Sequence, residues 1–511
     1  MAHRLTLAII GGGSVGVSYF CQLIQALGAD PAPVDGAPPR ILIFEPQAQV
    51  GPGGAYAADL DSNLLNVTAG GMSAFGDDKL HFMRWLSAQG ITRFNGRPIV
   101  NDSFVSRPLF GRYLGAVYLA ALDQAAACGI GVEHVRAVVD DVLPASGGAL
   151  AVSAGGRLHP VDHIVLAIGN LPAVAYAHWQ GNQRYLHSPY PVSRFATDLP
   201  ADASIAIAGT SLSAIDTIVA LAAQGHQGKI FCVSRSGRLP TVRGVHNQPI
   251  TLPAGLQALI AQKEARGESL SLDEAIVLLA HEVQVAGASH ADILDLLKPC
   301  ASTLDYIDAE IRIASTQPRQ WQALGNILNG VIDRLWHLLP QGDRVRFQRE
   351  LRPLWLSRRV AFPMENALTL QKMLRSGQLL ISGGLHKIEF MPERERFALH
   401  LQGGQTGTIE ADFLINATSF SDNAALSDLP LLKNLLRSGM AVVDSFGGLK
   451  LDFASGKIID RQQRVNPAIS VLGSMASGTY FWTNAMDVNA RIAMGQARAL
   501  AQSWMRQVSR A

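Results

Sequence analysis

Residues 5–16 read Leu5-Thr-Leu-Ala-Ile-Ile-Gly-Gly-Gly-Ser-Val-Gly16. The apolar run Leu5 to Ile10 fits a buried parallel strand, and Val15 onward fits a helix. Between them Gly11, Gly13 and Gly16 meet the pattern G-x-G-x-x-G, with Ser14 and Val15 completing the turn. Glycines at these positions let the backbone approach a pyrophosphate, which then sits on the helix N-terminus. The stretch therefore predicts a dinucleotide-binding unit in which a cofactor, not a side-chain triad, carries the chemistry. The acidic partner of such a loop stands at the end of the second strand. Arg40-Ile-Leu-Ile-Phe-Glu45 reads as that strand, and Glu45 as the acid that accepts hydrogen bonds from the adenosine ribose. The spacing is long because Asp30-Pro-Ala-Pro-Val-Asp-Gly-Ala-Pro-Pro39 is an inserted loop.

A chain of 511 residues predicts two or three domains, and 48% hydrophobic residues suffice for large cores. Charged residues make up 16%, the net charge is +2, and no basic or acidic run occurs, so nucleic acid is not an expected partner. The apolar run at the start is too short for a signal segment, and no stretch of about 18 apolar residues predicts a membrane span. Cys21, Cys128, Cys232 and Cys300 lie far apart with no C-x-x-C. That spacing argues against structural disulfides, zinc or a dithiol relay, and a reducing, cytoplasmic setting is expected. No metal site is expected.

Residues 204–223 repeat the opening theme. Ser204-Ile-Ala-Ile-Ala-Gly209 reads as a strand and Leu212 to Ala223 as a helix, joined by Gly209-Thr210-Ser211-Leu212-Ser213-Ala214. Ser211 and Ala214 replace the second and third glycines, and Thr210, Ser211 and Ser213 offer hydroxyl donors to a phosphate. The next strand, Gly228 to Ser234, ends without an acid; Arg235-Ser-Gly-Arg238 follows instead. An arginine pairs with a 2′-phosphate that a carboxylate would repel, so this unit points to NADPH over NADH. Two units with opposite ribose chemistry suggest FAD first and NADPH second.

The expected fold class is α/β, with two Rossmann-like dinucleotide-binding domains and a helical insertion. Residues 1–190 are assigned to the first part of the FAD domain and 191–254 to the first part of the NADPH domain. Residues 255–380 are assigned to the helical insertion with the remainder of the NADPH domain, and 381–511 to the second part of the FAD domain. Val132 to Val142 and the glycine-punctuated residues up to 156 read as a small hairpin sheet. Helical spacing runs over Leu270 to Leu297, Trp321 to Leu339 and Ala367 to Leu374. This region either caps the active site or packs on the second Rossmann unit.

These motifs resemble the two-dinucleotide-binding flavoproteins, the group of flavin-containing, Baeyer–Villiger and N-hydroxylating monooxygenases. More closely, the chain is similar to the bacterial FAD/NAD(P)-binding protein family. The resemblance is carried by Leu64-Leu-Asn-Val-Thr-Ala-Gly-Gly-Met-Ser-Ala-Phe75 with His81-Phe-Met-Arg-Trp85, and by Gly209 to Asp216 with Val233 to Pro240. Tyr480 to Ala497 completes it. The Baeyer–Villiger fingerprint F-x-G-x-x-x-H-x-x-x-W-P/D is only echoed by Trp179-Gln-Gly181 and His187-Ser-Pro-Tyr-Pro191. The late A-T-G of the group stands here as Ala417-Thr418-Ser419, and its final G-D is absent after Val471-Leu-Gly473.

The resemblance implies FAD and NADPH as cofactors and an NADPH-consuming monooxygenase acting on a small, biosynthetic molecule. One oxygen atom of O2 would pass to the substrate through a flavin C4a-(hydro)peroxide, in N-hydroxylation or Baeyer–Villiger insertion. The alternatives are an NADPH-dependent flavin oxidoreductase that never oxygenates, or a non-catalytic nucleotide-binding redox module. Asn66, Met72 and Ser73 are candidates to lie beside the flavin ring, and Asp487 to serve near it. Arg107 and Arg112, flanking Pro108-Leu-Phe-Gly111, either reach FAD or lie solvated; Val138 is a further cofactor-contact candidate. His187 is placed in catalysis or gating, and Arg243, His246 and Asn247 facing the nicotinamide. Arg358 and Arg359 either bind an anionic substrate or form a charged helix face. Thr479 to Asn484 could begin the helix that points at the flavin pyrimidine.

Overall fold

The computed structural model describes residues 4–29, 39–145, 149–245, 250–251, 253–285, 302–403 and 407–508. The chain divides into two compact units: Met1–Ala58, Val67–Pro172 and Ser421–Ala511 form the first, Asp59–Asn66 and Ala173–Phe420 the second.

The first unit is built on a parallel sheet in the order Gly131–Val135, Arg40–Phe44, Thr6–Ile10, His163–Leu166 and Val465–Val471, with Lys457–Ile459 added antiparallel at the far edge. Leu7, Ala8 and Ile9 have no exposed surface, which is why the central strand reads as an unbroken apolar run. The helix Ser14–Ala29 packs against Met486–Val508 and Arg107–Ala127. Buried Gln22 ties this layer together: its Nε2 donates to Ala490 O at 3.0 Å, and its Oε1 accepts from Gly76 N at 2.9 Å. Val139–Pro144, Leu150–Ala154 and Arg157–Val161 form an antiparallel three-stranded sheet. The expected hairpin sheet over Val132 to Val142 is thus corrected in part, because Gly131–Val135 joins the large parallel sheet at its edge, in register with Arg40–Phe44.

The second unit carries a five-stranded parallel sheet, ordered Tyr185–Leu186, Phe413–Asn416, Ile205–Ala208, Ile230–Val233 and Leu379–Ser382. One face packs against the antiparallel strands Leu385–Met391, Arg396–Leu401 and Gly407–Ala411 through Phe397, Leu399 and Leu401. The other face is covered by the helices Leu212–Ala223, Thr303–Thr316 and Met364–Arg375 through Ile215, Ile218, Ile307 and Leu370. Part of the helical region therefore packs directly on the second sheet. Ser302 caps the helix Thr303–Thr316, its side chain accepting from Asp305 N at 3.1 Å.

The assigned boundaries at 190/191 and 380/381 are displaced. Residues 173–190 and 381–420 belong to the second unit. The reason is strand pairing: Phe413–Asn416 lies in register beside Ile205–Ala208, and Tyr185–Leu186 beside Leu414 and Ile415. The long C-terminal helix starts at Met486, not within Thr479 to Asn484. Ser477–Tyr480 is a separate short helix, and Phe481 at φ +62° turns the chain out of it. Among the described residues no helix is long and apolar enough to cross a membrane, and no group of His, Cys, Asp or Glu is placed to hold a metal ion. Cys21 and Cys232 are buried, which pushes both thiols up, that of Cys21 to about 12; Cys300 lies outside the described residues.

Candidate functional site

In the first unit the glycine loop is held by backbone contacts that exclude any side chain. Gly11 has φ +105° and its N–H donates to Phe44 O at 2.9 Å. A Cβ there would lie 2.2 Å from Ala167 O, and one on Gly16 would lie 2.0 Å from Gly11 O. The helix thus starts pressed against the strand, and the residues of its first turn, Gly13, Ser14 and Val15, remain partly exposed. Their N–H groups are those a helix leaves without internal acceptors. Glu45 closes the site at the end of the second strand, with 8% exposure. Its Oε2 accepts from Gly12 N at 3.0 Å and its Oε1 from Gln47 N at 3.0 Å. These bonds fix the carboxylate and leave each oxygen a lone pair for a ribose hydroxyl. This cradle fits the adenosine diphosphate portion of FAD.

The other residues expected around FAD are distributed as follows. Met72 and Ser73 are buried in the first unit, and the Ser73 hydroxyl is used in a turn, donating to Asp78 O at 2.7 Å and accepting from Phe75 N at 3.0 Å. Asn66 belongs to the second unit. Arg107 opens the helix Arg107–Ala127 half-buried, and Arg112 is exposed one turn later. Val138 stands 58% exposed between two sheets. Asp487 is in the first turn of Met486–Val508, where its Oδ1 accepts from Val488 N at 2.9 Å and its negative charge suits the helix dipole.

The second loop repeats the first. Gly209 has φ +124°, its N–H donates to Val233 O at 2.7 Å, and a Cβ would lie 2.5 Å from Ala417 O. Thr210 is 5% exposed, and its hydroxyl is already committed to Arg238 O at 2.7 Å and Ser234 Oγ at 2.9 Å. The expectation that Thr210 offers this hydroxyl to a phosphate is corrected: it shapes the loop that presents the arginines. Ser234 Oγ accepts from Gly237 N at 2.9 Å, and Arg235 O accepts from Gly384 N at 2.9 Å. Ser211 is exposed just ahead of the helix Leu212–Ala223, and Ser213 lies in its first turn. Arg235 and Arg238 are exposed, and neither makes an ion pair among the described residues. The loop thus holds two available cations on a braced backbone.

His187 is half-buried at the edge of this sheet, its Nδ1 3.0 Å from Tyr185 Oη. Burial raises the Tyr185 phenol to about 12, so its hydroxyl keeps its proton in this hydrogen bond. His246 and Asn247 lie outside the described residues. Arg243 follows the short strand Thr241–Val242, which pairs in parallel with Ala361–Phe362. It is 9% exposed, with its N–H on Phe362 O at 2.9 Å and its Nη2 donating to Asn66 O at 3.3 Å. Arg359 lies nearby, bonded to Asn326 Oδ1 at 3.2 Å and Asn329 Oδ1 at 2.7 Å. A buried ion pair that no sequence motif signals holds the residue before Arg243. Arg319 Nη1 and Nη2 donate to Glu310 Oε2 and Oε1 at 2.7 and 2.9 Å, and Glu310 also accepts from Val242 N at 2.8 Å.

Residues 8–171 match the FAD-NAD(P)-binding family. No protein of curated function matches the sequence. Among solved structures, the ornithine N-hydroxylase of Kutzneria sp. 744 aligns over 98% of this chain and 100% of its own, at 14% identity and a TM-score of 0.58. The L-lysine 6-monooxygenase of Pseudomonas syringae aligns over 98% and 99%, at 15% identity and 0.57. The cadaverine monooxygenase of Erwinia amylovora, solved bound to FAD, aligns over 97% and 94%, at 14% identity and 0.52. The chain shares the overall fold of these solved structures. The matched family segment ends at residue 171, one residue before the first unit breaks off at Pro172. The two glycine loops each follow an inner parallel strand of their sheet, Thr6–Ile10 in the first unit and Ile205–Ala208 in the second.

Proposed function

We propose that the protein is an oxidoreductase, an FAD- and NADPH-dependent monooxygenase of the N-hydroxylating type acting on a small molecule in the cytoplasm. The observation that carries this reading is the contrast between two similarly built loops. The first strand pair ends in Glu45, whose carboxylate is fixed by backbone donors; the second ends in the exposed, available Arg235. An acid admits an unphosphorylated ribose, and an arginine selects a 2′-phosphate. FAD, when bound, supplies electron acceptance from a nicotinamide and activation of O2. The chain's own part is to hold the two cofactors: Gly11 to Gly16 take the pyrophosphate, Glu45 orients the ribose, and Arg235 with Arg238 selects NADPH. The solved structures with this fold that are named above are an ornithine N-hydroxylase and monooxygenases of lysine and cadaverine, which supports an amine nitrogen as the oxygen acceptor.

The test is to reduce the FAD-loaded protein with NADPH in the absence of oxygen and then mix it with O2. A transient flavin band distinct from the oxidised and reduced spectra is expected; direct return to the oxidised spectrum would sink the monooxygenase reading. Replacement of Arg235 by Ala is expected to weaken NADPH by about 10- to 100-fold, the value of one charge-assisted phosphate contact at an exposed site. NADH should change by less than about 3-fold, since it has no 2′-phosphate. Equal losses for both nucleotides in binding titrations would remove Arg235 from this role.

A further inference from the structure

Arg243 and Arg319 lie close together in the second unit, both buried, and they are treated oppositely by their surroundings. Arg319, 3% exposed, has the bidentate carboxylate of Glu310, itself 3% exposed. Arg243 has no carboxylate among the described residues, and its Nε is buried without any hydrogen-bond partner. Glu310 is not available to it, being filled by Arg319 and Val242 N. Among the described residues the one bond from its guanidinium, Nη2 to the Asn66 carbonyl, is long at 3.3 Å and goes to a neutral acceptor. Nor can the side chain be withdrawn by a loop movement, because Arg243 N is bonded to Phe362 O at the end of a strand pair.

A buried cation without a counter-charge is costly, so an arginine kept in this state needs an anion from outside the chain. Burial pulls the Arg243 guanidinium down to about 10, and the charge of Arg359 pushes the same way. It stays protonated at neutral pH, so the charge is present and uncompensated. Arg359 is oriented beside it by the side-chain carbonyls of Asn326 and Asn329. We infer that Arg243, assisted by Arg359, binds the carboxylate of the substrate, through the unpartnered Nε–H and the neighbouring Nη donors of Arg243. A planar acceptor with two oxygens matches a guanidinium edge. The inference rests on the reading of the protein as an enzyme acting on a small molecule, and it assigns that molecule to the amino or other small organic acids. The phosphates of the nucleotide are provided for elsewhere, at the first turn after Gly209 and at Arg235 and Arg238.

The test uses the FAD-loaded full chain, with acetate as probe, acetamide as its uncharged isostere, and chloride at matched ionic strength. Acetate should raise the melting temperature saturably while acetamide and chloride do not. In Arg243→Met the acetate dissociation constant should rise about tenfold or more, the scale of a lost charged hydrogen-bond pair. Arg243→Lys should retain a weakened acetate response, and Arg359→Met should weaken it less than Arg243→Met. Without ligand, Arg243→Met should melt no lower than the wild type, because an apolar side chain replaces an uncompensated charge. Dissociation of NADP+ should change by less than about 3-fold, as its phosphates are held elsewhere. The same acetate response in wild type and Arg243→Met overturns the inference. So does a parallel collapse of NADP+ binding, which would make the anion the cofactor's own phosphate. Failure of NADPH to reduce the wild-type flavin overturns the proposed function instead, and the acetate titration reads the site independently of it.

Discussion

Gly11→Ala is expected to yield a protein that no longer retains FAD and is destabilised by about 3 kcal/mol or more. Two costs add. The backbone at φ +105° lies outside the regions open to a residue with a Cβ. That Cβ would also meet the carbonyl oxygen of Ala167 at 2.2 Å and its carbon at 2.7 Å. Both are backbone atoms following the strand His163–Leu166, so they cannot rotate away as a side chain would. Relief requires the loop to lift from the sheet, which displaces the N–H groups proposed to receive the pyrophosphate. Bound flavin after desalting, read from its visible absorbance, should fall to a small fraction of the wild-type value. Gly13→Ala separates the causes. Its Cβ would lie 3.5 Å from Gly53 Cα, an ordinary contact. That variant should fold normally and lose flavin only to the extent that the ligand itself needs the space. Full flavin content in Gly11→Ala would show that the loop does not form the cradle.

Both Rossmann-like units were legible in the sequence because their signals are local. A buried parallel strand reads as a continuous apolar run, and the turn after it must be glycine where the backbone meets the next strand. Gly11 and Gly209 satisfy that demand with nearly the same geometry, although the second loop keeps only one of the three glycines. The loop around Arg235 was legible for the same reason. The unit boundaries were less so: whether Phe413–Asn416 belongs to the first sheet or the second is settled by its pairing with Ile205–Ala208, a partner about 200 residues away that its own apolar run does not name. Residues whose role depends on distant partners left no trace. Thr210 looks like a phosphate donor until Ser234 and Arg238 are seen to occupy its hydroxyl. The isolation of Arg243 is invisible without knowing that the buried acid Glu310, which bonds the preceding residue's N–H, is already taken by Arg319.

That pair carries the other large prediction. Glu310→Ala should lower the unfolding free energy by about 3–5 kcal/mol, the cost of leaving one member of a buried ion pair uncompensated. Arg319 would keep its charge at 3% exposure with both terminal nitrogens deprived of their carboxylate. Val242 N would lose its acceptor as well. Urea unfolding should show the loss as a lower midpoint at an unchanged slope. The double variant Glu310→Leu with Arg319→Met should recover most of it, because two apolar groups restore neutrality and packing together. Recovery by the double variant would establish that the pair is not retained for stability as such. Its use is then positional: Arg319 also donates to Val242 O at 3.0 Å, so the pair grips both the N–H and the carbonyl of the residue preceding Arg243. A double variant that regains stability but loses the acetate response would tie the ion pair to the anion site. Equal destabilisation by the single and double variants would instead make the pair an ordinary structural contact.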